Sequence, residues 1–452
     1  MADETAEVAR FAAHWRGNDA PEPVRRRVRL LLLDALGSAV RARAEAESTP
    51  SIVAAARAAF GSGTARVVAD PGGYAPAAAA MVNGALIHSL DFDDTHARSS
   101  LHCGAAVIPA ALAAAELTPV PMDRLLTAIA VGFEVQIRLG LAVDPRAHYA
   151  RGFHPTATCG VFGAAAAAGI VLGLDPAAQD SAFGAALSQA AGSLQFLENG
   201  AWTKRFQVGW AAGAGLVAAL LAREGFMGPS AAFEGRFGFL AAYSPSAQPA
   251  ALLAGLGRDW ETLEIAVKPY PCCRYIHPAL DALAVLRGRL GIADGGDVDA
   301  VEVGLPEPAM RLIAEPAEAK RSPRSVVDGQ FSMPFCGAVM LSRSAMGWDD
   351  YARWLGNPDI DRLARRFTCA VDPEVDSLPQ NFAARVTVRR GTTAATELVT
   401  VPKGEPANFL TDDELRAKFA RLAEPVLGPA RTAGLAAAVL DAAGTAPLAL
   451  TA

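Results

Sequence analysis

Charge is scarce in this chain, and so are aromatic side chains. Only 19% of its 452 residues are Asp, Glu, Lys or Arg and 7% are aromatic, while 52% are apolar. That balance excludes disorder and predicts a sizeable core, divided among two or more domains at this length. A basic excess is missing too. The formal net charge of −6 leaves no footprint for nucleic acid, and the one tight basic run, Arg25-Arg26-Arg27 with Arg29, lies on a helical pattern and reads as a solvated face. The opening MADETAEVARF has no apolar h-region, so no secretory signal is read. The six cysteines include no Cys-x-x-Cys, and adjacent Cys272 and Cys273 lack the spacing of a zinc or iron–sulfur site. Reduced thiols, a cytoplasmic location and no metal are therefore expected. No Gly-x-Ser-x-Gly elbow occurs, and Gly213-Ala-Gly215 lies in a helical segment with no strand before it, so no nucleotide cofactor is expected either. Uncharged stretches such as 159–174 are shorter than the roughly 20 residues that span a bilayer, and no membrane partner is expected.

What is present is helix after helix. Pro23 suits a first helical position, and Val24, Val28, Leu31, Ala35 and Ala39 recur at helical spacing. Ala/Leu-rich segments follow at 52–60, 76–90, 105–117, 122–141, 156–173, 178–192 and 210–224. After Trp260 the pattern changes. VDAVEVGL (298–305) and AARVTVR (383–389) alternate with period two, and Arg390-Gly391 before TELVTV (396–401) suggests a hairpin, with 278–290 and 330–342 helical between them. Thr411-Asp-Asp-Glu414 has the capping-box pattern and opens a helical tail. The expected architecture is mainly α. A helical domain comes from both chain ends (1–265 and 403–452), and a smaller α+β domain (266–402) is inserted between them.

Four clusters carry the candidate chemistry. In MVNGALIHSLDFDDTHARSSLHCG (81–104), His88, Asp91 and Thr95 would share one face of a helix, with Asp93, Asp94, His96 and His102 close behind. They read as a polar, Asp-capped loop or as a carboxylate–imidazole acid–base pair; a metal site is a third option, but nothing else in the chain supplies a matching ligand cluster. In RGFHPTATCG (151–160), His154 precedes Pro155, Thr156 and Thr158 at a helix start, where free N–H groups make a seat for a carboxylate. An ordinary helix start with a surface histidine is the competing reading. In NGAWTKRFQVGW (199–210), Lys204 and Arg205 stand ahead of another Ala-rich helix. Cations are electrostatically mis-sited there, and an anionic ligand would resolve the conflict; a plain basic turn is the alternative. KPYPCCRYIHP (268–278) supplies Lys268, Arg274 and His277 where the architecture changes, and ligand sites favour such junctions over plain linkers.

Taken together with LLLDALGSAV (31–40), AAMVNGALIHSLDFDDTH (79–96) and QFSMPF (330–335), the clusters make the chain resemble the MmgE/PrpD family. That family includes 2-methylcitrate dehydratase, cis-aconitate decarboxylase and iminodisuccinate epimerase, and the resemblance runs from about residue 25 to 420. It implies a lid role for the inserted domain, commonly a homodimer, and catalysis without cofactor or metal. It also implies a small di- or tricarboxylate substrate, with an enolate-like intermediate. By motif, Asp91, His102, His154 and Lys204 would be catalytic; Thr95, Arg205, Gln207, Lys268, His277 and Phe335 would bind substrate. Dehydration leads, with decarboxylation or epimerisation as alternatives and a non-catalytic carboxylate-binding protein as a further one. The sequence departs from the family at Cys103, where a proline is usual, at Gln207, where a histidine often stands, and at Phe335, where a tyrosine is usual. The last two lower the site's polarity and point away from efficient turnover of 2-methylcitrate.

Overall fold

The computed structural model describes residues 3–379 and 382–441. The fold is mainly α with small sheets. It divides into two compact units: the described residues up to Val267 together with those from Thr411 onward, and Lys268–Leu410.

In the first unit, helices Pro76–His88, Gly104–Leu117, Met122–Ala142, Gly160–Leu172 and Thr203–Arg223 pack as a bundle. Their Ala- and Gly-rich faces let backbones approach closely. A Cβ on Gly209 would lie 2.2 Å from the Met81 carbonyl oxygen, and one on Gly84 would lie 3.0 Å from the Gly209 Cα. That crossing sets the site, because one helix ends at His88 and the other begins at Thr203. Met122–Ala142, the 155–172 segment and Thr203–Arg223 are long and apolar enough to cross a membrane. In this fold 94%, 94% and 67% of their most apolar windows are buried inside the protein.

The C-terminal helix Asp412–Leu427 starts from a full capping box, Thr411 with Glu414, and returns to the same unit. Its Lys418 is buried, lies 2.5 Å from Asp34 and donates to the Phe92 carbonyl at 3.0 Å, with its ammonium 3.8 Å from the centre of the Phe92 ring.

The second unit has a four-stranded sheet in the order Phe367–Val371, Ala300–Leu305, Ala384–Arg390, Thr393–Val399; the first pair is parallel and the others antiparallel. Gly391 makes the last turn at φ +57°, a conformation that favours glycine. Val301, Val303, Val386 and Val388 are buried in one core with Leu280, Leu283 and Phe335.

Three local expectations need correction. The helix through 76–90 stops at His88, so Asp91 and Thr95 do not continue its face. The chain instead turns left-handed at Asp91 (φ +52°), and Thr95 enters a two-residue strand paired with Ala266. The 156–173 helix is interrupted at Cys159, and the 178–192 helix ends at Leu187.

Candidate active site

The turn after His88 gathers the acid–base groups. Asp91 has one of the few positive-φ backbones at a non-glycine residue, which Asp tolerates better than most side chains. The turn aims its Oδ1 at Lys204, whose Nζ donates to it at 2.7 Å. The mis-sited cation foreseen at the start of helix Thr203–Arg223 thus has a partner within the chain, and both members stay partly exposed. Arg205 turns elsewhere and donates to Ser48 Oγ at 3.2 Å.

Asp93 is fully buried between two imidazoles. Its Oδ2 lies 2.8 Å from His88 Nδ1 and its Oδ1 lies 3.2 Å from His102 Nδ1. The second approach is a close charge contact and is not aligned as a hydrogen bond. Burial alone would raise the Asp93 carboxyl, yet the neighbouring His102 and His88 hold it well below the usual range. An ionised Asp93 accepts from His88 Nδ1–H and lies beside His102 as a charge partner for that ring when it carries a proton. His102 Nε2 then faces the Asp91–Lys204 pair, 4.0 Å from Asp91 Oδ1. The rings of His88 and His102 meet edge to face at 4.6 Å. Burial holds His88 down to about 4, so it is neutral over the physiological range.

The backbone around His102 is tied down from outside the cluster. Its N–H donates to Thr156 Oγ1 at 3.2 Å, and its carbonyl accepts from Gln136 Nε2 at 3.1 Å. Gln136 also donates to the Thr156 carbonyl. Asp94 accepts from the backbone N–H groups of Cys103 and Gly104 at the start of helix Gly104–Leu117. Burial, reinforced by the charge of Asp93, raises Asp94 to about 7.

His154 caps the Pro155–Thr158 turn, is 2% exposed and stacks on His88 with ring centroids 5.8 Å apart. Its Nδ1 is 2.8 Å from Gln207 Nε2. Burial, with the nearby His88, Lys204 and His102, pushes the imidazole well below its ordinary range.

Of the ten residues singled out from sequence, seven lie in the first unit. Asp91, His102, His154, Lys204 and Gln207 converge there; Thr95 stands in its short strand and Arg205 on Ser48. Lys268, His277 and Phe335 belong to the second unit. Lys268 is buried, and His277 begins helix His277–Arg289 with its Nε2 3.2 Å from the Cys272 carbonyl. Phe335 is fully buried and stacks on Tyr351 at 6.0 Å, so it serves that unit's core.

His88 and Asp93 were visible in the motif without a role assigned. Gln136 and Ser193 were missed; the signal for Gln136 is a buried amide between Glu134 and Arg138 in helix Met122–Ala142. His88, Asp93 and His102 also present ligand atoms within 4.8 Å of one another, a set that could hold a cation. These three residues lie in the block where a metal site was one of the readings open from sequence. A cavity of about 650 Å³ lies beyond Gln207, walled by Ser193, Phe196, Thr203, Phe206 and Trp210 among others. None of its lining residues is charged, so it is a poor seat for a polyanion.

Comparison with known proteins places this geometry. Residues 6–252 match the model of the MmgE/PrpD N-terminal domain, and 270–442 match that of the MmgE/PrpD C-terminal domain. The chain belongs to the MmgE/PrpD family. Among relatives, a cis-aconitate decarboxylase-like protein, oryM, of Aspergillus oryzae is 30% identical over 97% of this chain and 94% of its own length. A cis-aconitate decarboxylase of Aspergillus terreus is 31% identical over 94% of this chain and 90% of its own. The human cis-aconitate decarboxylase is 36% identical over a shorter stretch, 48% of this chain and 45% of its own. This MmgE/PrpD chain therefore spans nearly the whole length of its fungal relatives.

Proposed function

We propose that the protein is a lyase acting on a small di- or tricarboxylate, and that it breaks a carbon–carbon bond to release carbon dioxide from an unsaturated tricarboxylate of the cis-aconitate type. The observation that supports it best is Asp93 set between His88 and His102, which leaves His102 Nε2 beside the Asp91–Lys204 pair. The names of the fungal relatives move the balance from the dehydration first read from sequence toward decarboxylation.

In the decarboxylation, one carboxylate leaves as CO2. Its bonding electrons stay behind as an enolate-like carbanion, and His102 delivers one proton from Nε2 to carbon. Asp93 keeps the imidazole oriented and supports its cationic form, as a carboxylate does behind any acid–base histidine. Lys204 and the His154 ring edge stabilise the negative charge that develops. A dehydratase would run the same group in the opposite sense: His102 would begin neutral and remove a proton before hydroxide leaves.

The two reactions separate in one experiment. Purified protein is given cis-aconitate, citrate and 2-methylcitrate, and CO2 release is measured beside formation of the unsaturated product across pH. Decarboxylation should dominate at every pH; dehydration without CO2 release would overturn the proposal.

The reading is also cofactor-free. The His88–Asp93–His102 set is already engaged in its own hydrogen bonding and charge pairing, which a cation would have to displace. Protein dialysed against a strong chelator should keep its full rate; activity restored only by added metal would sink this part.

A further inference from the structure

We propose that Gln207 is a positioning residue: it holds His154 as the neutral imidazole with its proton on Nε2, so that this edge donates a hydrogen bond to the substrate and does not take up a proton. The inference rests on the functional reading above and extends it to a residue at which this chain departs from its family's usual histidine.

The amide of Gln207 cannot be turned around. Its Oε1 accepts from the Ser193 N–H at 3.0 Å, while its Nε2 donates to the Ser193 carbonyl at 3.2 Å. Exchanging the two ends would set donor against donor and acceptor against acceptor. The remaining Nε2 proton therefore points to His154 Nδ1, 2.8 Å away, which must receive it as a lone pair. A neutral imidazole that accepts at Nδ1 carries its hydrogen on Nε2. Among the described residues no hydrogen bond reaches that Nε2, so the edge is left for a ligand.

The surroundings reinforce the neutral form. The groups facing His154 are His88, stacked from helix Pro76–His88; Asp91 and His102 from the loop that follows; and Lys204 from helix Thr203–Arg223. Phe196 closes another side at 5.8 Å. Burial, and then the Lys204 ammonium, oppose a cation on this ring, and Asp91 is already bound to Lys204. A histidine at 207 could offer either a proton or a lone pair to Nδ1 and would leave the tautomer open. Glutamine offers only the proton.

The test is nitrogen NMR of the full-length protein carrying 15N-histidine, with the His154 signals assigned by their loss in His154→Gln. Wild type should show the Nε2–H tautomer, with no titration between about pH 5 and 8. In Gln207→Glu the carboxylate can only accept, so a proton should move to Nδ1 and titration should enter that range. The same variant should lower kcat/KM by about tenfold to a hundredfold, because the donor edge is lost. Gln207→Leu, which keeps volume without any hydrogen bond, should give a mixture of tautomers in protein whose circular dichroism is unchanged. An Nδ1–H tautomer in wild type, or an unchanged tautomer in both variants, would overturn the inference. The NMR readout needs no turnover. If no carboxylate is consumed while the Nε2–H tautomer is found, the functional reading fails and the positioning of His154 stands.

Discussion

His102 and Asp93 divide one task between a group that moves a proton and a group that aims it. Removing the first should abolish chemistry without unfolding the protein, because the His102 backbone is held independently by Thr156 and Gln136. His102→Ala should lower kcat by roughly 10²–10⁴-fold with its circular dichroism unchanged. An unaltered rate would return His102 to a structural role. Asp93→Asn keeps the shape but replaces a carboxylate that accepts from His88 and lies as a negative charge against His102 with a neutral amide. It should lower kcat by about 10²-fold or more with little change in KM, and a variant that altered KM alone would show that Asp93 does not act through His102.

At the scale of elements, most helices were legible because apolar residues recur at helical spacing, and the strands because Val301, Val303 and Val386, Val388 alternate. Helix Met122–Ala142 differs by one residue from the segment read from sequence, and the capping box at Thr411 is present. The turn after His88 was not legible as a turn. Nothing in SLDFDD ends a helix as glycine or proline would, so the pattern was carried through to Thr95. Packing against helix Thr203–Arg223 and the pairing of Thr95 with Ala266 decide otherwise. The polar block was conspicuous in so apolar a chain, yet Asp91, Asp93 and Asp94 are equivalent in sequence. Their roles separate only when one meets Lys204, one sits between imidazoles and one caps a helix.

The same turn is held from far along the chain. Lys418 of the C-terminal helix donates to the Phe92 carbonyl, between Asp91 and Asp93, and pairs with buried Asp34. Lys418→Met should destabilise the protein by about 3–5 kcal/mol in denaturant unfolding, since it breaks a buried pair and leaves the carboxylate. Lys418→Met with Asp34→Leu should recover most of that stability, because an apolar pair of similar volume is tolerated, but not the kcat, because the Phe92 carbonyl still lacks its donor. Recovery of both would show that Lys418 serves stability alone.

For the whole molecule, the buried histidines tie folding to acidity, and His148 isolates the effect because it lies outside the proposed chemistry. It is fully buried, with Nδ1 3.2 Å from the Tyr243 carbonyl and Nε2 2.8 Å from Thr158 Oγ1. A neutral ring with its proton on Nδ1 satisfies both, since it donates to the carbonyl and accepts from the hydroxyl. Burial lowers His148 from 6.5 to about 4. Between those values the unfolded chain binds a proton that the folded protein does not. The stability this group contributes is therefore complete above about pH 6.5, declines as pH falls, and is gone below about pH 4. Its full size is about 3 kcal/mol, from 1.36 kcal/mol for each pH unit between the two values. His88 acts in the same direction, whereas Asp94, raised to about 7, acts against them by gaining stability as it protonates in acid. The total slope is thus a contest, and a variant reads one contestant directly. Glutamine at 148 can still donate to the Tyr243 carbonyl and accept from Thr158, but it cannot titrate. His148→Gln should match wild type to within about 1 kcal/mol at pH 7 and lose less stability on acidification. Unfolding by urea at about pH 7, 6, 5 and 4.5 gives the comparison, with the gap widening in favour of the variant at each step. A constant gap across that range would mean that His148 titrates alike in the folded and unfolded chains, and that burial does not hold it neutral.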